Sequence, residues 1–191
     1  MSGTQDDDAL RAIEAHGENF RGHIDAEAAA ERALHDPLTG LPRTTIALDR
    51  LRGALSRAER SQHTAAVLVF GLNGVAALND ELGWEAGDEM LRRVATRLLT
   101  CLRTTDVAAR IGGDKFAVIC DSLDSWEDAA SIAERLDNAI AAPMMVADRL
   151  LVMTSCVGVA VTADGTDAPE ALLERADRAM QHDREKNGGA G

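Results

Sequence analysis

A chain of 191 residues with 46% apolar side chains is long enough to bury one sizeable core, and 32 Asp and Glu against 20 Lys and Arg give it a formal charge of -12. That surface repels phosphate backbones and excludes nucleic acid as a ligand, so any anionic ligand needs a local basic site working against the global field. No apolar run approaches the ~20 residues that span a bilayer, which excludes a membrane-embedded class.

Residues 5–35 read as a polar, Ala-rich helix anchored by Leu10, Ile13, Phe20, Ile24 and Leu34. Gly17, Glu27 and Glu31 fall at heptad core positions, so the segment reads either as a surface extension or as a dimerising helix. Its acidic start, Met1 to Asp8, is not a secretory signal. Pro37, Gly40 and Pro42 mark a turn, and a boundary near residue 35 separates an N-terminal extension (1–35) from a domain (36–186) and a flexible tail (187–191). An amphipathic helix is predicted over 44–60 through Ile46, Leu48, Leu51 and Leu55, then a buried strand over Ala65–Phe70. Gly83 and Gly87 bracket Trp84, and Asp88 opens a long helix whose Leu91, Val94, Ala95, Leu98, Leu99 and Leu102 form one buried face. Val107–Ile111 and Phe116–Cys120 read as strands joined by the corner Gly112-Gly113-Asp114-Lys115. Ser125 caps a helix reaching Ala141, with Asp128 in the capping-box position. Leu150–Val161 is β-rich and Pro169–Arg184 is the last helix. A hairpin inside an alternation of helices and strands favours an α+β fold with a mainly antiparallel sheet. Cys101, Cys120 and Cys156 sit in apolar runs without metal-ligand spacing, and they read as buried thiols of a reducing, cytoplasmic compartment.

Six motifs stand in order: Asp36-Pro-Leu-Thr-Gly-Leu, Asn79-Asp80-x-x-Gly83-x-x-x-Gly87-Asp88, Arg103-x-x-Asp106, Arg110-Ile-Gly-Gly-Asp-Lys-Phe, Ser155-Cys-Val-Gly158-Val-Ala and Arg175-Ala-Asp177-Arg-Ala-Met180. Together they resemble the GGDEF family, the diguanylate cyclase domains of bacterial cyclic-di-GMP signalling, over residues 36 to about 186. The resemblance implies a central, mainly antiparallel five-stranded sheet flanked by helices, in a nucleotidyl-cyclase/ferredoxin-like arrangement. Active members join two GTP molecules across an antiparallel dimer, the 3′-hydroxyl of each attacking the α-phosphate of the other. They use Mg²⁺ held by carboxylates from the first strand and the hairpin tip.

This chain departs from the family where the metal would bind. The family's first strand ends Asp-x-Asp-x-Phe-Lys, and counting back from Asn79 places Gly71, Leu72, Asn73, Gly74, Val75 and Ala76 there. At the hairpin Asp114 keeps its acid and Lys115 replaces a glutamate. No catalytic set is therefore intact at Gly71, Asn73, Asp114 and Lys115. No metal or cofactor is expected, with Mg²⁺ required only if the chain is active. The family's late Tyr is Gln181, and its last-helix basic pair falls at Arg184 and Gly188.

What the resemblance retains is nucleotide recognition. Asn79 and Asp88 align with residues that read guanine's edge, Gly112 and Gly113 with the hairpin at the nucleotide, and Arg184 with a phosphate contact. Arg103 and Asp106 fall in the register of the family's inhibitory site, where they would grip cyclic-di-GMP; the alternative is an arginine complementing a helix C-terminus and an aspartate starting a turn. Lys115 has two readings: an ammonium standing where the metal would be, or a solvated tip residue paired with Asp114. Trp84 replaces a family His and either packs or stacks on guanine.

The expected function is that of a catalytically inactive GGDEF domain acting as a cyclic-di-GMP or guanine-nucleotide receptor. The alternatives are a non-binding interaction module that pairs with an active partner, and an active diguanylate cyclase. The expected partners are cyclic-di-GMP or GTP, with a homodimer or partner protein joined through the N-terminal helix, and neither nucleic acid nor membrane.

Overall fold

The computed structural model describes residues 33–61, 63–162 and 164–187. The reading of 5–35 as a helix, except at 33–35, and Gly188 with the rest of the tail, lie outside the described residues. Contacts divide the chain into Met1–His35 and Asp36–Gly191, and the second unit carries the fold.

Helix α1 (Thr44–Arg60) buries Ala47, Leu51, Ala54, Leu55 and Ala58, a 3,4-spaced stripe. Strand β1 (Thr64–Leu72) follows, then helices α2 (Val75–Leu82) and α3 (Trp84–Cys101). Gly83, at φ 87°, ends one helix and starts the next, so α3 begins at Trp84 and Asp88 lies in its second turn instead of opening it. Leu99 is 53% exposed and stands off the buried stripe. Strands β2 (Val107–Arg110) and β3 (Lys115–Leu123) form the hairpin, with Lys115 inside β3 and not in the corner. Helix α4 (Trp126–Ala141) carries the Ser125–Asp128 capping box. Two short strands, β4 (Met144–Val146) and β5 (Arg149–Leu151), precede β6 (Ser155–Thr162) and α5 (Pro169–Asn187). Asn187 therefore belongs to a helix, not to the tail.

The sheet runs β2-β3-β1-β6 and every neighbouring pair is antiparallel. This is the expected α+β architecture with a different strand count: four in the central sheet and two in a separate β4-β5 ribbon, not five in one. Ala147 and Asp148, both at positive φ, make a tight turn that pairs β4 with β5. Leu150 and Leu151 are spent there, and the β-rich run resumes as a strand only at Ser155.

Both faces of the sheet are covered, which is why β1 is buried along almost its whole length. The two-residue strand period sends Ala66, Leu68, Phe70 and Leu72 towards α2, α3 and α4, and Ala65, Val67 and Val69 towards α1 and α5. Strand β3 divides likewise, with Phe116 and Val118 on the first side and Ala117 and Ile119 on the second. Helix α5 lies directly on β6 at Gly158, where any Cβ would overlap the Ala176 carbonyl oxygen. The Val157 amide donates to Asp183 Oδ2 at 3.0 Å, fixing the helix one residue before Arg184. No helix among the described residues is long and apolar enough to cross a membrane.

Candidate functional site

The C-terminal end of β1 meets the hairpin tip, where the Leu72 amide donates to the Asp114 carbonyl at 3.0 Å. Helices α2 and α3 and the end of α5 close the space in front into a cleft of about 710 Å³. Asn79, Asp88, Trp84, Gly113, Asp114 and Arg184 line it, and Gly112 does not.

At one end, Asn79 and Asp88 face the same space from successive helices. Among the described residues Asn79 has no side-chain hydrogen-bond partner, and its Oδ1 is buried. A Cβ at Gly87 would overlap that oxygen, so Gly87 is what lets the amide sit against α3. A free amide next to a carboxylate matches the paired N–H donors and carbonyl of a guanine edge. An unpaired buried amide oxygen costs about 1–3 kcal/mol, a cost the fold carries at this position. Trp84 stands at the rim, 78% exposed, and so is not a packing residue.

At the other end, Arg184 Nη2 lies 3.1 Å from Asp114 Oδ2 and 3.1 Å from the Leu72 carbonyl oxygen. Gly71 makes room for it, because a Cβ there would stand 2.5 Å from the same Nη2. The Asn73 amide, also on the cleft wall, donates to Thr154 Oγ1 at 3.2 Å, just before β6.

Lys115 is placed differently from both sequence readings. Its Nζ is 2.7 Å from Asp177 Oδ1 on α5, in a groove with Ile111 and Leu173, outside the cleft and away from Asp114. Strand alternation is the cause: Lys115 shares the face of Ala117 and Ile119, which is the α1/α5 face. Asp177 also accepts from Gln181 Nε2 at 2.8 Å.

Sequence reasoning quoted Asp36 and Arg110 in separate motifs and missed their pairing. Arg110 Nη1 donates to Asp36 Oδ1 at 2.9 Å, while its Nε and Nη2 donate to the Gly113 carbonyl. The pair straps the hairpin tip to the Asp36 turn. Partial burial opposes ionisation of Asp36, but the Thr39 hydroxyl, Arg110 and the Thr39 amide outweigh it and hold the carboxyl below its ordinary value.

Arg103 and Asp106 form one turn between α3 and β2, away from the cleft. Asp106 is 8% exposed; its Oδ2 accepts from the Arg103 amide at 3.1 Å, and its Oδ1 is buried without a partner. The Arg103 side chain points to solvent. The neighbouring Cys120 thiol is pushed up to about 12, by burial first and then by the Asp106 charge.

Comparison with known proteins places this architecture. The family described as "Diguanylate cyclase, GGDEF domain" matches residues 33–190. The chain belongs to the GGDEF family. It is 38% identical over 166 residues to the diguanylate cyclase TpbB of Pseudomonas aeruginosa, covering 85% of this chain and 38% of TpbB. It is 35% identical over 153 residues to the response regulator PleD of Caulobacter vibrioides, covering 78% of this chain and 34% of PleD. The chain thus spans little more than a third of these relatives. Among solved structures, the GGDEF domain of TpbB superposes with a TM-score of 0.76 at 36% identity, covering 80% of this chain and 89% of that one. The coiled coil and GGDEF domain of DgcB from Caulobacter crescentus, solved with c-di-GMP, gives 0.75 at 26% identity, covering 96% and 95%.

For this GGDEF domain the residues at the metal position do not suit a divalent ion. Mg²⁺ requires an octahedral set of hard oxygens. Gly71 offers no side chain, Asn73 carries a neutral amide that donates to Thr154, and the Asp114 carboxylate and Leu72 carbonyl already hold a guanidinium. Among the described residues no three His, Cys, Asp or Glu side chains cluster as a metal site.

Proposed function

We propose that this GGDEF domain is a non-catalytic receptor for cyclic-di-GMP or a guanine nucleotide in bacterial second-messenger signalling. The observation that carries the reading is the contrast within one cleft. Its guanine end keeps an unpaired Asn79 amide near Asp88, while at its phosphate end a cation neutralises the one remaining acid, Asp114. Cyclisation needs charge stabilisation at two phosphoryl centres, and this set supplies no seat for the ions that provide it. DgcB, a relative of the same fold, was solved with c-di-GMP, which supports a cyclic dinucleotide as ligand. The exposed Arg103 side chain, on the α3–β2 turn that Asp106 braces through the Arg103 amide, offers such a ligand a second place to bind.

Calorimetric titration with cyclic-di-GMP, GTP and GDP tests the reading, together with chromatography of GTP incubated with Mg²⁺ or Mn²⁺. Binding of at least one ligand without formation of cyclic dinucleotide is expected. Asn79→Ala should weaken a ligand in the cleft and Arg103→Ala one on the turn. Steady production of cyclic-di-GMP, or no binding of any of the three, overturns the proposal. Absence of binding would leave an interaction module.

A further inference from the structure

The two edges of the central sheet are built differently. At one, β2 is four residues long, and its Arg110 amide donates to the Pro42 carbonyl at 2.9 Å, so a neighbouring segment takes up that edge. At the other, β6 reads Ser-Cys-Val-Gly-Val-Ala-Val-Thr, without a charge, a proline or a break in register. No strand among the described residues pairs with its outer side. A long, regular, uncharged edge is a template for a further strand. We propose that this edge is a self-association surface: β6 pairs antiparallel with β6 of a second copy of this chain, about a two-fold axis at Val159, and joins the two sheets into one. The inference stands apart from the receptor function proposed above.

The outward backbone groups locate the axis. The Val157 amide leaves the sheet to donate to Asp183 Oδ2 at 3.0 Å, and the Val161 carbonyl accepts from Arg175 Nη2 at 2.6 Å. The N–H and C=O of successive residues in a strand point to opposite sides, so Val157, Val159 and Val161 turn theirs outward while Cys156, Gly158 and Ala160 turn theirs to β1. Val159, between the two capped residues, has no such cap among the described residues. An antiparallel pair centred on it exchanges both N–H···O bonds between Val159 and its symmetry mate, and sets Val157 opposite Val161 of the second copy.

The caps fit the same pairing. Arg175, Ala179 and Asp183 follow one another at four-residue spacing along one flank of α5, while Asp177 and Arg184 face the other way, to Lys115 and Asp114. Arg175 is also paired with Asp167 at 3.1 Å, which holds its guanidinium at the edge. A two-fold axis at Val159 lays the two α5 helices antiparallel on one face of the joined sheet. Arg175 then meets Asp183 of the second copy, and the small Ala179 side chains meet at the centre and leave the helices room to approach. Once the Val157 amide takes the Val161 carbonyl of the second copy, the carboxylate and guanidinium that capped those groups are released side by side, with opposite charge. An edge guarded against pairing carries charges of one sign, commonly lysines, that repel across such an axis; this one carries a cation and an anion in the order that attracts. The β-branched Val157, Val159 and Val161, all partly exposed, extend the apolar layer across the seam.

The test is sedimentation equilibrium of the full chain in ~0.15 M salt, where a Debye length of ~8 Å screens the repulsion between two chains of net charge -12. A concentration-dependent dimer is expected. Val159→Pro removes the central donor at a place where an edge strand tolerates proline, and should weaken association about tenfold or more. Arg175→Glu should weaken it similarly, and Arg175→Glu/Asp183→Arg should return it to within about threefold of wild type. The two side chains are ~12 Å apart along one helix, so pairing between copies is what gives that recovery. Thermal melts check the fold of each variant. If the proline disturbs the fold, oxidation of Val159→Cys in a Cys101→Ser background takes its place: a hydrogen-bonded antiparallel pair sets its Cα atoms ~5.5 Å apart, within disulfide reach, and a covalent dimer is expected. A chain that stays monomeric to the limit of its solubility overturns the inference. So does a dimer that Val159→Pro leaves at full strength or that the new thiol fails to link, and so does a double variant as weak as Arg175→Glu.

Discussion

Changing Lys115 to Glu restores the family's acidic hairpin signature in one step, and the structure predicts that it destabilises the protein and creates no enzyme. Lys115 and Asp177 are 27% and 26% exposed and 2.7 Å apart. Two unit charges ~4 Å apart interact by ~4 kcal/mol at an effective dielectric of about 20. Partial exposure and side-chain ordering reduce a pair of this kind to about 1 kcal/mol. Reversing one charge removes that attraction and adds a repulsion of similar size, so Lys115→Glu should lose about 2 kcal/mol. For a domain of this size that corresponds to a fall of roughly 4–8 °C in Tm. Differential scanning calorimetry of Lys115→Glu, Lys115→Met and the charge swap Lys115→Glu/Asp177→Lys is the assay. The methionine variant should fall midway, and the swap should recover most of the loss. A Lys115→Glu protein as stable as wild type, or one that makes cyclic-di-GMP from GTP and Mg²⁺, would refute the pairing of Lys115 with Asp177 of α5.

Three further outcomes are expected. Gly87→Ala forces a methyl into Asn79 Oδ1 and should weaken guanosine binding about tenfold or more with a small change in Tm, since the cleft floor moves and the core does not; unchanged affinity would remove Asn79 from the site. Asp36 has a folded-state pKa below its unfolded value, so its contribution is complete above the ordinary carboxylate range and lost as pH falls through the lowered value; urea unfolding between pH 5 and 2 should show less acid sensitivity in Asp36→Asn than in wild type. With the Cys120 thiol raised to about 12 and Cys156 buried, a thiol reagent at pH 8 should modify only Cys101 quickly in the folded protein, and rapid reaction of a second thiol would contradict this burial.

Much of the architecture was legible because its determinants are local. The stripe of α1, the Ser125–Asp128 box and the hairpin glycines each act over a few residues, and the structure carries them where the sequence puts them. The strand count was not, because the pairing of β4 with β5 depends on positive φ at Ala147 and Asp148, two residues with no strong turn signature of that kind. At the site, Asn79 and Asp88 both line the cleft from successive helices. The partners of the charges were hidden. Lys115 finds Asp177 across 62 positions, and Arg184 finds Asp114 across 70, through the way α5 docks on Gly158. One clue was available: strand alternation from the buried Phe116 and Val118 already turns Lys115 to the opposite face.

The solvated indole at the mouth of the cleft has a practical consequence. Of the two tryptophans in the chain, Trp84 stands on the rim, while Trp126 opens a different helix. Entry of a purine would cover the first ring and leave the second in water, so the emission spectrum would report occupancy directly. Stopped-flow fluorescence could then time the arrival and departure of unlabelled ligands, with Trp126→Phe supplying a background-free signal.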